Sequence, residues 1–400
     1  MNRGHAWLTL GLVSALFFVI TAATFTSLGL ALPAMVRELG WSWTQAGMGF
    51  GFLGVFCGIT ATVPAVLIRR FGVRATLFFG SVVMAGAFLC LAHAKGLALY
   101  FAGTSLAGFG FTLLDTVPGT YLLARLFPRP AFAIGLYFTV GGLGGVAGPL
   151  LYFAITGVTG DWRSFWLVAG AIVTATGLLA ALLVDAGTDV GAGQESDPEI
   201  STESWTLRDA LQTPQFWVLA AAYSAFLFCG ITVNSVSVAH LTQHGATAVM
   251  AGSMMSTEAL LNSGARLLGG LLNRFVSARI LLAVSLGCLI AGLLALGVAR
   301  DLPTMLVYAA GIGIGYGLTF FASTILLLDY FGRGPYLELF ATVNLISTAG
   351  SVAPTLAGMT RDGTGSFTPF FLALAVLIGL VLLAVAMMRP PHARPSRVRA

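Results

Sequence analysis

The sequence predicts an all-α membrane protein with twelve transmembrane helices, arranged as two six-helix bundles related by internal duplication. Only 9% of the 400 residues are charged and 57% are hydrophobic, whereas about a quarter of the residues in a soluble domain are charged. A helix needs roughly 20 apolar residues to cross a bilayer. Between polar breaks the chain has twelve such runs, at 7–31, 44–68, 75–94, 97–124, 132–157, 164–185, 215–240, 247–272, 279–299, 303–328, 338–360 and 367–388.

The only long polar segment lies between the sixth and seventh runs and sets the domain organisation. We predict an N-terminal six-helix bundle over 1–186, a cytoplasmic linker over 187–213, a C-terminal six-helix bundle over 214–388 and a basic cytoplasmic tail over 389–400. The first run follows a short basic start, like a signal peptide. Because it is long and many spans follow, we expect it to remain as the first transmembrane helix.

The distribution of basic residues predicts the orientation. With a cytoplasmic N-terminus, the cytoplasmic ends of the runs carry fourteen of the twenty Lys and Arg residues, the outer loops carry five, and Arg266 alone lies within a run. The positive-inside rule therefore places both termini in the cytoplasm. We predict a multi-pass plasma-membrane protein, in a bacterium an inner-membrane protein, whose basic tail lies near anionic headgroups.

The two halves of the chain repeat each other. RELGWSWTQAG at 37–47 aligns with LTQHGATAVMAG at 241–252, and IRRFGVR at 68–74 aligns with NRFVSAR at 273–279. LFPRP at 126–130 aligns with YFGRGP at 330–335, and GGVAGPLL at 144–151 aligns with AGSVAPTL at 349–356, all at an offset of about 205 residues. Parallel repeats of six-helix halves are typical of secondary transporters, which bind substrate between the halves.

With these repeats the chain resembles the major facilitator superfamily over essentially its whole length. PAVLIRRFGVR at 64–74 is similar to the Gly-x-x-x-Asp-Arg-x-Gly-Arg-Arg motif of that superfamily, but Arg69 stands where the family has Asp and Ala65 where it has Gly. The repeat ARLLGGLLNRFVSAR has Asn273 in place of the Asp. The resemblance implies a gating role for this motif on the cytoplasmic side. The gating residues would be Arg69, Arg70, Gly72, Arg74, Asn273 and Arg274.

Three further stretches resemble the oxalate/formate antiporter and monocarboxylate transporter branch. They are WTLRDALQTPQFWVL at 205–219, LLLDYFGRG at 326–334 and ARLLGG at 265–270. In that branch an arginine on the eighth span binds the substrate carboxylate, and Arg266 matches its position. Animal monocarboxylate carriers have an Asp four residues earlier, where this chain has Asn262.

Arg266 is also a candidate site residue by its chemistry. A charged side chain inside a span is costly and is usually functional, and a guanidinium can bind a carboxylate through two parallel hydrogen bonds. The alternative is that Arg266, about six residues from the cytoplasmic end of its run, extends to the headgroups or supports the gating motif. Glu258, Asn262 and Arg266 are spaced four apart, so all three are expected on one helix face.

Two acids inside the runs are candidates for proton coupling. Asp115 lies near the middle of the fourth run and is followed by Pro118, which frees a backbone carbonyl. A carboxyl group there suits a protonation switch, or it is a structural acid bonded to a neighbouring hydroxyl. Glu258 can carry a proton or balance Arg266, or it faces a wet vestibule near the outer side.

Other polar and aromatic residues, together with one leucine, are weaker candidates for the wall of the substrate cavity. Each has an ordinary packing role as its alternative, and His240 is expected to be hydrated near the outer end of the seventh run. The remaining candidates are Tyr121, Tyr316, Asn234, Asn344, Thr24 and Leu28.

These features predict a proton-coupled secondary transporter of a small monocarboxylate anion, working by alternating access. One buried cation suits one carboxylate, since neither the first nor the eleventh run contains Lys. The alternatives are a proton-coupled exporter of lipophilic or cationic compounds and a non-transporting receptor. No nucleotide, metal or nucleophile motif is present, so we expect no enzyme activity, no cofactor and no nucleic-acid partner. We expect a monomer with four unpaired, buried cysteines.

Overall fold

The computed structural model describes residues 3–127, 130–184, 205–332 and 334–391. Most of the predicted linker and the last nine residues of the predicted basic tail therefore lie outside the described residues. Within them every regular element is a helix. The helices of the first half are α1 (Arg3–Ala23), α2 (Phe25–Leu39), α3 (Trp43–Ile59), α4 (Val63–Ala92), α5 (Leu97–Leu114), α6 (Thr116–Leu126), α7 (Pro130–Thr159) and α8 (Trp162–Leu183).

The second half begins with a five-residue helix in the predicted linker and continues with six spans. Its helices are α9 (Leu207–Leu211), α10 (Pro214–Gln243), α11 (Ala248–Leu272), α12 (Ala278–Val298), α13 (Leu302–Phe331), α14 (Tyr336–Ser347), a 3-10 turn (Thr348–Val352), α15 (Ala353–Thr364) and α16 (Thr368–Met387).

The helices are consistent with the twelve predicted spans. Ten segments of the described chain are long and apolar enough to cross a membrane. The two other predicted spans are α3, which has only 17 residues, and α11, which contains Glu258, Asn262 and Arg266. Both are helical. The helix α11 buries one face, with Glu258, inside the protein and exposes another that carries Leu260, Leu267 and Leu268.

Several spans are interrupted within their length. Span 1 breaks at Thr24, between α1 and α2, and span 4 breaks at Asp115, between α5 and α6. Span 11 consists of α14, the 3-10 turn and α15. Non-helical backbone at membrane depth is tolerated where protein surrounds it or where it lines a cavity.

Span 2 also differs from a straight rod. It runs through α3, a turn at 60–62 and the first residues of α4. The loop predicted after it is a single tight bend at Gly72, whose φ is 83°. That left-handed conformation is strained for any residue with a Cβ, which explains the glycine of the motif at this position.

The first span is longer than predicted. The apolar run ends near position 31, but α2 continues to Leu39 through Pro33. The polar residues at its end are paired: Glu38 accepts hydrogen bonds from Trp162 Nε1 and Arg163 Nη1, both at 2.6 Å. Because Glu38 is still 48% exposed, its charge stays outside the apolar part of the span, and the helix extends about two turns further than its hydropathy indicates.

The two ends of the bundle are defined by contacts between span ends. At one end, here called the terminal face, the Trp7 and Phe127 rings pack edge to face, and Gln215 Nε2 donates to the carbonyl of Arg389. At the opposite end, called the distal face, Arg361 Nε donates to Gln243 Oε1. Both described chain ends therefore lie at the terminal face.

The repeat is visible in two equivalent helix caps at the terminal face. Arg74 Nε donates to the carbonyl of Val184, the residue that caps the last helix of the first half. Arg279 Nη1 donates to the carbonyl of Met388, the residue that caps the last helix of the second half. A cation at a helix C-terminus satisfies a free carbonyl and interacts favourably with the helix dipole. Arg74 and Arg279 are the residues that the predicted duplication aligns.

The halves meet mainly on the distal side. The helices that pack across the boundary are α2, α3 and α7 of the first half with α10, α11, α14, the 3-10 turn and α15 of the second. Among the described residues, α1, α4 and α6 pack extensively only within their own half. The halves therefore separate toward the terminal face, and the conformation is open on that side.

Candidate functional site

Arg266 lies in α11, partly buried, and its guanidinium is held by two neighbours. Its Nε donates to Oδ1 of Asn262 at 3.1 Å. Its Cζ lies 4.6 Å from the ring centroid of Phe320 in α13, within the range of a cation–π interaction. None of the ion pairs among the described residues involves Arg266. The side chain bonds back along the helix, toward the middle of the span, so it does not extend to the terminal face.

Aromatic side chains from α10 and α13 surround this guanidinium. Phe226 packs edge to face with Tyr316 and with Tyr223, each at a centroid distance of 4.7 Å. Tyr223 Oη donates to Asn344 Oδ1 in α14 at 3.1 Å, and both tyrosines lie within electrostatic range of Arg266. We call this set the arginine cluster: Arg266, Asn262, Phe320, Tyr316, Tyr223 and Asn344.

Glycines in α13 bring the cluster together. A Cβ on Gly313 or Gly317 would collide with the backbone carbonyls of Glu258 and Asn262, respectively. The two glycines are four apart and let α13 approach α11 closely, as small residues do between membrane helices. Phe320 follows Gly317 by three residues, so the close approach places its ring over Arg266.

Glu258 shares α11 with Arg266 but is more deeply enclosed. It is 5% exposed, and the described residues give it no hydrogen bond or ion pair. Its charge interacts electrostatically with Tyr316, with Cys229 of α10 and with Tyr308 of α13. The three residues predicted on one face of α11 therefore differ in burial, since Asn262 and Arg266 remain partly exposed while Glu258 is covered.

Asp115 occupies the break between α5 and α6. Its backbone dihedral angles, φ −85° and ψ −138°, are not helical. One carboxylate oxygen, Oδ2, accepts from Thr116 Oγ1 at 2.8 Å, and the other, Oδ1, is buried and has no partner. The acid is partly buried, and the structure places it in the first half, whereas the arginine cluster belongs to the second.

The remaining predicted residues lie at the following positions. Thr24 and Leu28 are 2% and 1% exposed, and Thr24 Oγ1 donates to the carbonyl of Ile20. Asn234 bonds within its own helix, where its backbone lies against Gly29. The ring of Tyr121 lies under Arg125, 4.9 Å from its Cζ. The structure does not bring these residues into the arginine cluster, and their cavity roles stay predictions.

The prediction for His240 is wrong. It was expected to be hydrated, but it is fully buried, with Nε2 at 2.9 Å from the carbonyl of Leu296 and its ring against Phe371. The distal ends of α10, α12 and α16 pack together around it. Phe320 and Tyr223, in contrast, were not among the residues predicted for the site. Phe320 follows Tyr316 by one helical turn, which was a usable signal, but its role depends on how α13 packs on α11.

Comparisons with known proteins agree with this architecture. Residues 14–352 match the Major Facilitator Superfamily. The chain belongs to this superfamily. It is similar to human monocarboxylate transporter 11, at 28% identity over 94% of this chain and 81% of that protein. It is also similar to the uncharacterized MFS-type transporter YhjX of Escherichia coli, at 23% identity over 86% of each chain.

A solved structure shows the same fold. A bacterial homolog of the human lysosomal transporter Spinster, in an inward-facing and occupied conformation, superposes with a TM-score of 0.73 and 18% identity, over 96% of this chain and 95% of that one. As a superfamily member, the protein is a multi-pass membrane transporter of small molecules and not an enzyme. The described residues contain no group of three or more potential metal ligands.

The distal contact between the halves of this superfamily member is a row of glycines. A Cβ on Gly47, Gly51, Gly54 or Gly58 of α3 would collide with span 11. On the N-terminal side of Gly47, the start of α3 contacts Asp362 at the end of α15. The Asp362 carboxylate accepts three hydrogen bonds there, from Trp43 N at 3.1 Å, Thr44 N at 2.9 Å and Thr44 Oγ1 at 2.6 Å. The carboxylate of one half thus caps a helix of the other, and it closes the distal face.

The superfamily motif after span 2 lies at the terminal face. Arg69 and Arg70 are exposed next to the bend at Gly72, and Arg74 caps α8 as described. In the second repeat, Asn273 is the C-cap of α11, and Arg274 is exposed. In this conformation the described contacts of the motif stay within each half, and its gating role stays a prediction.

Proposed function

We propose that this protein is a secondary transporter of small monocarboxylate anions, and that Arg266 binds the substrate carboxylate. The observation that supports the proposal is a membrane guanidinium without an acidic partner among the described residues. Its Nε is used by Asn262 and one face by Phe320, which leaves the two terminal Nη groups for a ligand. Such a fork matches the geometry of a carboxylate.

The surroundings of Arg266 suit a monoanion. A substrate with one carboxylate neutralises the single cation of the cluster and leaves no second charge in a medium of low dielectric constant. A dianion would bring one uncompensated charge into the same place, which is costly. The hydroxyl of Tyr316 lies near enough to interact with Arg266, so it is a candidate second donor for a 2-hydroxy or 2-oxo acid.

The orientation belongs to the same proposal. The positive-inside distribution of Lys and Arg supports a cytoplasmic terminal face, so the proposed conformation is open to the cytoplasm. Anions enter or leave through the gap between the halves, and the glycine row on α3 opens when the distal face does. We propose a monomeric transporter in the plasma membrane, which in a bacterium is the inner membrane.

Counterflow in proteoliposomes tests the proposal. Vesicles loaded with unlabelled lactate or pyruvate should take up the labelled anion with saturation. In Arg266→Ala, loss of one partner of a buried charge pair costs about 2–5 kcal/mol, which corresponds to roughly 30-fold or greater loss of apparent affinity. Arg266→Lys should lose a smaller part of the apparent affinity, since it keeps the positive charge but not the planar guanidinium that binds a carboxylate through two hydrogen bonds. The matched control is Arg300→Ala, an exposed arginine at the distal face.

Two results would contradict the assignment. Saturable uptake with unchanged affinity in Arg266→Ala would remove the guanidinium from the binding site. Stabilisation of the purified protein by lipophilic cations, with no effect of any monocarboxylate in the same thermal-shift series, would favour an exporter of such compounds instead. Glu258, the buried acid such an exporter would need, is covered by α10 and α13 in this conformation.

A further inference from the structure

We propose that the proton coupled to transport binds at Asp115, with the Tyr137 hydroxyl as its second partner, in the half of the protein that lacks the arginine cluster. The inference rests on the proposed function and adds to it a choice between the two membrane acids, and a residue that neither sequence analysis nor the comparisons indicated. It starts from two unpaired polar atoms that lie near the same helix break.

The first atom is Oδ1 of Asp115. It is buried without a partner, while Oδ2 is bonded to Thr116. No cation lies within ion-pair distance of this carboxylate among the described residues. The helix break adds a third polar group, because Pro118 has no N–H to donate to the carbonyl of Leu114. A buried carboxylate in such a place is favourable only with a proton, a cation or a further donor.

The second atom is the hydroxyl oxygen of Tyr137 in α7. Tyr137 is fully buried, and its hydroxyl has no partner. The ring is stacked on Phe17 at a centroid distance of 4.9 Å. A Cβ on Gly119 would collide with the Tyr137 hydroxyl. Gly119 follows Asp115 by four residues, so the hydroxyl lies over the face of α6 that begins with Asp115.

Few other groups act on Asp115. Among the described residues of the helices packed against α5 and α6, the charge of Asp115 acts on Cys57 of α3 and Tyr137 of α7. Cys57 donates to the carbonyl of Gly108, so its hydrogen is already used. None of the ion pairs among the described residues joins Asp115 to α1 or α4. Tyr137 responds to the charge of Asp115 and has a hydroxyl without a partner.

The two charge states of Asp115 favour different packings of α6 on α7. The ionised carboxylate needs a donor at Oδ1 and draws the Tyr137 hydroxyl toward the break. When the carboxylate takes up a proton from the aqueous side, the new O–H can donate to the freed carbonyl of Leu114, and Tyr137 is released. Because α6 and the start of α7 lie toward the open terminal face, this exchange links proton binding to the conformation of that face.

Glu258 is less suited to that role. It lies within a regular helix, and the close contact between its carbonyl and Gly313 fixes α11 to α13. A coupling acid must gain and lose access to water as the halves move. Asp115 lies at a joint between two helical segments toward the open side, whereas Glu258 lies inside a continuous helix of one half and is 5% exposed.

Infrared difference spectroscopy between acidic and alkaline pH, on the purified protein in lipid, tests the site without any substrate. Among the bands of protonated carboxyl groups in the wild type, we expect one that is kept in Glu258→Gln, is missing in Asp115→Asn, and has a shifted titration midpoint in Tyr137→Phe. Tyr137→Phe keeps the ring packing and removes only the hydroxyl, so it tests the inference even if Asp115→Asn does not fold.

Transport gives the second measurement. With one proton per anion, a gradient of about one pH unit supports about tenfold accumulation. Asp115→Asn should lose this accumulation and keep counterflow, which needs no net proton movement. A band that persists in Asp115→Asn and disappears in Glu258→Gln would overturn the inference. If no monocarboxylate is transported by the wild type, the proposed function fails, while the infrared titration still decides whether Asp115 is the proton site.

Discussion

Neutralising Asp362 should open the distal face, because this carboxylate is bonded to the first turn of a helix in the other half. Asp362→Asn removes the charge and one of two accepting oxygens, which together receive bonds from Trp43 and Thr44. Hydrogen bonds to charged groups are worth about 1.5–3 kcal/mol when buried. Asp362 is exposed, so a value near that of an exposed anion at a helix N-terminus, about 0.3–1 kcal/mol, is appropriate.

A loss of about 1 kcal/mol changes the ratio of distal-closed to distal-open molecules about fivefold. Spin labels at Val158 and Arg300, exposed positions at the distal ends of the two halves, report that ratio by pulsed electron resonance in a cysteine-free background. Asp362→Asn should increase the fraction of molecules in which the two labels are far apart, that is, in which the distal face is open.

The matched control is Asp301→Asn. Asp301 caps α13 within its own half, accepting from Thr304 N at 3.0 Å, so its loss should leave the distance distribution unchanged. An unchanged distribution in Asp362→Asn, or an equal change in both variants, would refute the reasoning that the contact between halves controls the opening.

Three further predictions concern packing around the site and the repeat. Phe320→Leu removes the ring beside the guanidinium, worth about 0.5–2 kcal/mol, and should weaken the apparent substrate affinity in counterflow about two- to thirtyfold while protein yield stays normal. Gly317→Val should force α13 away from α11 and lower the melting temperature of the detergent-solubilised protein, whereas Gly264→Ala, which meets nothing within 4 Å, should not; equal melting temperatures would contradict the close approach. Arg74→Gln and Arg279→Gln each remove an equivalent helix cap, so each should lower thermal stability, and a much larger loss in one would show that the caps are not equivalent.

Much of the fold follows from local properties of the sequence. Apolar runs of the right length predict spans because no water is available in the bilayer to satisfy an open backbone. The duplication is visible in the aligned turns and prolines of the sequence. It predicts that Arg74 and Arg279 are equivalent, and in the structure each binds the last carbonyl of an equivalent helix. The end of span 1 was misplaced because hydropathy marks only the apolar part of a helix, whereas α2 continues through the exposed Arg37 and Glu38. Glu38 there bonds to Trp162 and Arg163, which lie more than a hundred residues away.

In the candidate site, too, some features follow from local sequence and others depend on distant segments. The cost of burying a charge singled out Arg266, Glu258 and Asp115 directly, since that cost depends on residue type and on depth in the membrane. Which of them is covered depends on how α13 packs on α11, and the break at Asp115 becomes informative only when the Tyr137 hydroxyl is found over Gly119.

Hydropathy and internal similarity along the chain are enough to predict many membrane crossings, two related halves and three charged groups inside the spans. The neighbours of those groups follow from helix packing: the Phe320 ring lies beside Arg266, α10 and α13 cover Glu258, and Oδ1 of Asp115 is buried without a partner. Insertion into a bilayer depends on hydropathy along the chain, whereas partners depend on the close approach of helices that small residues in distant segments permit.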